Sequence, residues 1–193
     1  MKYILVSTSP RRIELMKLMG VNFEVVKPKV DEGKIGIADE DPERFVKIMA
    51  ERKCESVLKD CGFDLSDIVL ISADTIVYLE NRIIGKPRNR DDAIRTLKYL
   101  SGKWHSVFTG VCVIHRNERV EFVERTDVFF REIDDETIVE YVDSGEPLDK
   151  AGAYGIQGKA SLFVRRIIGD FYNVMGFPVG RVWEELRRKG WIE

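Results

Sequence analysis

Apolar and polar positions follow two different periods along this chain. Short apolar or alternating runs at Tyr3 to Ser7, Phe23 to Val26 and Ile68 to Leu79 predict strands. Stripes at helical spacing fall between them. Ile13, Met16, Leu18 and Met19 form the first, opened by Ser9 as an N-cap with Pro10 at the first helical position, and closed by Gly20. Asp41-Pro42 opens a second helix with Phe45, Val46, Ile48, Met49, Val57 and Leu58 on its buried side. Ile68 to Leu79 reads as the strongest strand, and Glu80-Asn81-Arg82 turns it into Ile83-Ile84-Gly85 as a hairpin. Asp91 to Leu100 predicts a helix closed by Ser101-Gly102. Ser106 to His115 and Arg119 to Phe130 predict strands paired across Arg116-Asn117-Glu118. Asp134-Asp135 caps a helix to Val142, a Gly-rich loop runs from Glu146 to Gly158, Ser161 to Ile168 reads as a strand, and Val179 to Lys189 as the last helix. Alternating strands and helices predict an α/β fold with a mixed sheet. The order of strands does not follow from the pattern.

The chain's 193 residues, 44% of them hydrophobic, suffice for a sizeable core in one domain or in two lobes sharing a sheet. With 31 basic against 33 acidic residues, a broadly basic face for a nucleic-acid polymer is not expected, although a local cationic pocket is. No apolar run approaches the roughly 18 residues that cross a bilayer, and the first apolar stretch is too short for a signal peptide, so the cytosol is the expected compartment. Cys54, Cys61 and Cys112 fit no metal spacing and read as inert thiols. His105 and His115 lack a ligand partner at useful spacing and read as core or surface residues. Trp104, Trp183 and Trp191 read as packing residues.

Four segments carry candidate chemistry. Ser7-Thr8-Ser9-Pro10-Arg11-Arg12 joins a strand to a helix start, where unpaired N–H groups and the macrodipole favour an anion. Two guanidiniums in that turn oppose the dipole unless phosphate oxygens compensate them. Asp74, in Ser72-Ala73-Asp74-Thr75, places a carboxylate inside an apolar strand. It is costly there unless it serves as a base, a ligand for a hard cation or one half of an ion pair. Gly85-Lys86-Pro87 offers a close backbone approach and one cation, and serves a plain hairpin exit equally well. Glu146 to Gly158 mixes charge with repeated glycine. Its Gln157 amide suits a nucleobase edge, Lys150 adds a cation, and Tyr154 adds an aromatic face. Neither the P-loop nor the Rossmann glycine pattern is present.

In their joint order these segments resemble the Maf family of nucleoside triphosphate pyrophosphatases over nearly the whole chain. The likeness runs through S-T-S-P-R-R (Ser7 to Arg12), A-D-T (Ala73 to Thr75), G-K-P (Gly85 to Pro87) and T-G-V (Thr109 to Val111). It continues through E-P-L-D-K-A-G-A-Y-G-I-Q-G (Glu146 to Gly158) and G-D-F-Y-N-V-M-G-F-P (Gly169 to Pro178). Phe171 and Phe177 stand where the family often has Tyr and Leu, a departure that touches only pocket shape.

The resemblance implies a single domain over 1–193, with a two-lobed mixed-sheet fold similar to inosine triphosphate pyrophosphatase and its site in the cleft. It implies hydrolysis of a nucleoside triphosphate to monophosphate and pyrophosphate with a divalent cation, Mg²⁺ or Mn²⁺. Pro-Arg-Arg together with Gln157 looks like the branch acting on dTTP and UTP. By motif position Asp74 is the implied proton acceptor, and Arg11, Thr75 and Gln157 are the specificity positions. Ser9, Arg11, Arg12, Lys53, Lys86 and Lys150 map to the phosphate region, with Asp149 beside them, and Glu32 and Asp74 map to the metal. The implied partner is a nucleoside triphosphate, not a nucleic-acid polymer or a membrane; a homodimer is compatible. Two rival readings stay open: a purine enzyme of the inosine triphosphate type, and a nucleotide-sensing regulator of cell division, since the family is linked to inhibition of septum formation.

Overall fold

A computed structural model describes residues 1–30, 41–61 and 66–192, with 59–61 described by their backbone alone. Strand β1 (Lys2–Val6) leads into α1 (Pro10–Lys17), β2 (Phe23–Val26) and the long helix α2 (Pro42–Cys61). Strands β3 (Ile68–Leu79) and β4 (Arg82–Ile84) form the expected hairpin, followed by α3 (Arg90–Leu100). Strands β5 (Trp104–His115) and β6 (Glu118–Phe130) pair antiparallel, and α4 (Asp135–Asp143) follows. Three short three-ten turns, Glu146–Asp149, Ala151–Ala153 and Lys159–Phe163, lead to β7 (Val164–Ile168), α5 (Phe171–Met175) and α6 (Val179–Arg188).

Among the described residues the strands make one mixed sheet in the order β2-β1-β3-β5-β6-β7, with β4 attached to β3. The sheet is covered on both faces, and the period-two alternation sorts side chains between them. Ile4, Val6, Ile68, Leu70, Cys112 and Ile114 pack under Ala50, Cys54 and Val57 of α2. Their sequence neighbours Tyr3, Leu5, Val69, Ile71, Val111 and Val113 point the other way, into the larger core formed with the other helices. Fully buried Leu5, Ile71 and Leu97 each contribute about 1.5–3 kcal/mol relative to exposure.

The register also leaves a gap. Strand β1 pairs with β3 only along Ile68–Ile71, and β4 takes up the same edge again only at Val77. From Ser72 to Ile76, β3 is held by β5 alone among the described strands. The opening lies beyond the carboxyl end of the parallel strand β1, where ligands enter open α/β sheets.

Some expectations change. The residues Ser161–Phe163 belong to a three-ten turn, and only Val164–Ile168 is strand. The 146–158 loop is itself built largely of three-ten turns, and α5, too short for a visible stripe, goes unread in the sequence. Ser9 holds the N-cap position with extended dihedrals but makes no side-chain cap bond. Trp191 is buried, whereas Trp104 and Trp183 are each more than a third exposed, Trp104 against Phe129 and Trp183 against Arg187. His105 and His115 are core residues, bonded to the Tyr154 hydroxyl (2.9 Å) and the Ile68 carbonyl (2.8 Å). Cys54 and Cys112 are buried and free, and the Cys61 side chain and the Asp31-Glu32 loop lie outside the described residues. No helix among the described residues is long and apolar enough to cross a membrane.

Candidate active site

The gap beside β3 opens into a cleft of about 900 Å³. Ser9, Arg11, Arg12, Lys53, Asp74, Thr75, Lys86, Lys150 and Gln157, scattered over the sequence, all line it. Of the residues singled out for the site, only Glu32 lies outside the described residues.

Asp74 projects from β3 toward α2, where its carboxylate meets the Lys53 ammonium in a buried ion pair. A carboxylate 8% exposed would be destabilising alone, and the lysine offsets that cost. The helix can come this close because the residue opposite Asp74 on β5 is Gly110. A Cβ at Gly110 would collide with the backbone of Val46, so glycine is required where α2 crosses the sheet. Lys53, seven residues beyond Val46, lies two turns along the same helical face. Beneath the pair, Ser72 donates to the Ala50 carbonyl and ties β3 to α2 again, one alternation away.

Thr75 leaves the opposite face. Its hydroxyl accepts from Arg12 Nη2 at 2.9 Å and lies 2.9 Å from the Thr109 hydroxyl. Arg12 Nε also donates to the Gly176 carbonyl at 2.8 Å, so the guanidinium is clamped between β3 and the end of α5. Gly176 makes that turn at φ +104°, a conformation glycine tolerates. Behind it, the Thr109 hydroxyl is 3.3 Å from the Asn173 carbonyl, and Asn173 Nδ2 donates to the Val107 carbonyl and the Thr126 hydroxyl.

The third wall is the 146–158 segment. Asp149 draws two cations together: Arg11 Nη1 at 3.1 Å and Lys150 Nζ at 2.7 Å. Desolvation pushes the Asp149 carboxyl up, but hydrogen bonds from Lys150 and Arg11 outweigh it and hold the group below its ordinary value. Gly152 N donates to the Gly85 carbonyl at 3.0 Å, joining this wall to the β4 exit. Lys86 is exposed at that exit, and no carboxylate among the described residues pairs with it. Gln157, on the 146–158 wall, is exposed and lines the same cleft.

Residues 2–189 match the family profile described as Maf-like protein. The chain belongs to the Maf family. A protein of Thermosipho melanesiensis named dTTP/UTP pyrophosphatase is 45% identical, over 96% of this chain and 97% of its own length. Proteins of the same name from Thermotoga maritima and Bacillus cereus strain B4264 are 47% and 49% identical, over 99% and 97% of this chain and 91% and 95% of theirs. The Staphylococcus aureus Ham1 protein has a similar fold, with a TM-score of 0.54 at 12% identity, covering 98% of this chain and 100% of that one.

Within this Maf-family site, several groups escaped the sequence reading. Gly110 and Thr109 lie in the T-G-V motif without a visible reason until α2 and Asn173 are placed against them. Arg88 also lines the cleft, held by Asp92 at 3.0 Å. It follows Pro87 directly, so the Gly85-Lys86-Pro87 motif stops one residue short of it. Lys150, expected as a phosphate cation, directs its ammonium to Asp149 and to the Glu146 carbonyl.

Proposed function

We propose that this chain is a nucleoside triphosphate pyrophosphatase acting on dTTP and UTP. One observation carries the reading: a buried carboxylate–lysine pair, a clamped arginine and an exposed lysine share one cleft with an exposed glutamine. The names of relatives at 45–49% identity point to the same pair of substrates.

The reaction demands that roughly four negative charges be held while water attacks the α-phosphorus, so positioning and charge neutralisation supply most of the catalysis. Arg11, Arg12 and Lys86, with Ser9 and the first amides of α1, would hold the triphosphate oxygens. Arg12 acts from a fixed place, because Thr75 and Gly176 already orient it. Asp74 would accept the proton of the attacking water, while the bond from the α-phosphorus to its bridging oxygen breaks and pyrophosphate departs. Lys53 keeps the carboxylate in place beside the reacting centre. Gln157, donor and acceptor at once, would read the pyrimidine edge.

A divalent cation suits the donor set. Asp74 offers hard oxygen, and Glu32 is the implied second ligand. Mg²⁺ is commonly held by one or two carboxylates together with substrate phosphates, so this donor set is sufficient for it. When bound, such an ion would neutralise phosphate charge and lower the pKa of bound water. The reading assumes the cytosol as the working compartment.

The test is pyrophosphate release across common and modified nucleoside triphosphates, with Mg²⁺, with Mn²⁺ and with chelator. Fastest turnover of dTTP and UTP, lost with chelator, supports the proposal. Preference for ITP would favour the purine reading, and stoichiometric binding without product would favour the sensor.

A further inference from the structure

The segment that carries Gln157 has no strand or long helix to shape it, so its form depends on groups elsewhere. Two side chains supply that form. Glu146 Oε1 accepts from the Tyr141 hydroxyl at 3.1 Å, and Glu146 Oε2 accepts from the backbone N–H of Lys159 at 3.2 Å. The Tyr141 hydroxyl also accepts from the backbone N–H of Gly155 at 3.2 Å. The amides two residues before and two residues after Gln157 therefore end on one tyrosine–carboxylate pair.

The surroundings are fitted to that pair. A Cβ at Gly158 would collide with the Glu146 carboxylate, and one at Gly155 would lie 2.7 Å from Lys150 Cε. Tyr141 is 3% exposed, with its ring edge-on to Phe163 at 5.1 Å between centroids. Burial pushes its hydroxyl well above the ordinary tyrosine range, so the proton needed for the bond to Glu146 stays on. Neither Tyr141 nor Glu146 lines the cleft.

We propose that Tyr141 and Glu146 are specificity-positioning residues, which fix the Gly155–Lys159 arch and so set where the Gln157 amide stands against the base. The inference rests on the reading of Gln157 as the base-reading group. It assigns a role in base recognition to a residue of α4 outside every motif that marks the site. Because neither member of the pair lines the cleft, its loss acts on binding and base choice, not on the chemical step.

The experiment measures kcat and KM of the full-length protein for UTP, dTTP and GTP with Mg²⁺. Tyr141→Phe keeps the ring against Phe163 and removes only the hydroxyl. It should raise KM for UTP about 3- to 10-fold, the range of one or two lost hydrogen bonds, with kcat within about twofold and the UTP-to-GTP preference reduced by a similar factor. Glu146→Gln, which keeps one carbonyl acceptor, should lose less than Glu146→Ala. Gly158→Ala reaches the same contact from the other side, and its effect should shrink in the Glu146→Ala background. Amide exchange at Gly155 and Lys159 should quicken in Tyr141→Phe. Wild-type KM and base preference in Tyr141→Phe and Glu146→Ala, alongside an altered preference in Gln157→Ala, would overturn the inference alone. An unaltered preference in Gln157→Ala would overturn the base-reading role and the inference with it.

Discussion

Asp74 and Thr75 are consecutive residues of β3 whose side chains leave the sheet on opposite faces, Asp74 to Lys53 of α2 and Thr75 to Arg12 of α1. The strand's period of two makes this unavoidable. Because no described strand pairs with that edge between Ile71 and Val77, both groups reach the same cleft around it. The three-residue motif Ala73-Asp74-Thr75 thus has a physical reading. Ala73 packs in the core, one neighbour holds a buried carboxylate, and the next holds a guanidinium.

The Asp74–Lys53 pair separates chemistry from folding. Asp74→Asn should cut turnover about 10²- to 10⁴-fold, the range for loss of a general base. Lys53→Met leaves a buried carboxylate uncompensated and should destabilise the protein by about 3–5 kcal/mol. The same substitution in the Asp74→Asn background should cost less, because no charge is then stranded. Urea unfolding of the four proteins of this cycle, with pyrophosphate-release rates for the Asp74 variant, checks both halves. Equal costs for Lys53→Met in the two backgrounds would dismiss the pairing argument.

Thr75 makes a different kind of contribution, through Arg12. Thr75→Val keeps the shape but removes the oxygen that Arg12 Nη2 and Thr109 share. Loss of this hydrogen bond from a charged group costs about 1.5–3 kcal/mol, so kcat/KM should fall about tenfold or more, while Thr75→Ser stays near wild type. Steady-state kinetics on UTP distinguishes them. A valine variant as active as the serine variant would show that the hydroxyl does not matter.

Much of this architecture is readable from the residues, and the failures have physical causes. Strands β1, β3 and β5 announce themselves by apolar runs, as strands covered on both faces do, and β6 by its alternation of apolar and polar residues. Ser161–Phe163 misleads, since a short apolar stretch is compatible with a three-ten turn as well as a strand. The cleft residues carry chemistry that sequence reveals: a carboxylate in a strand, arginines at a helix start, glutamine among glycines. Gly110, Thr109, Tyr141 and Asn173 do not, because their work is to place other groups and depends on which elements meet. Lys53 lies within an amphipathic helix without a local signal, and only the family resemblance marks it.

Gly110 offers the sharpest packing test. Alanine there drives a methyl into the Val46 backbone, which a flexible side chain cannot relieve. Gly110→Ala should destabilise by about 1–3 kcal/mol and, by lifting α2, also lower kcat/KM. Gly180, in α6, has open space around it and ordinary dihedrals. Gly180→Ala should therefore be neutral or stabilising by about 0.4–1 kcal/mol. Thermal melts of the two variants, read with UTP turnover, test whether the α2 crossing governs the site. Indistinguishable melting temperatures would refute the close-approach argument.

His105 predicts the acid limb of stability. Its ring is buried, edge-on to Phe130 and Tyr154, and bonded through Nε2 to the Tyr154 hydroxyl. Desolvation pushes its pKa down to about 4, against smaller opposing effects from the Lys103 backbone and Asp127. In the unfolded chain an ordinary histidine titrates near about 6.5, so between these values the unfolded state binds the extra proton. The neutral ring's contribution is therefore complete above about pH 6.5 and is lost as pH falls toward about 4, for a total of about 3 kcal/mol. Tyr154, the partner of His105, also lines the cleft beside Gln157. Urea unfolding at intervals from pH 7 to pH 4 should show this slope. His105→Gln, which keeps a polar group for Tyr154 but cannot take up the proton, should be less stable at pH 7 yet flatter across the range. A slope unchanged in that variant would assign the acid sensitivity to other groups.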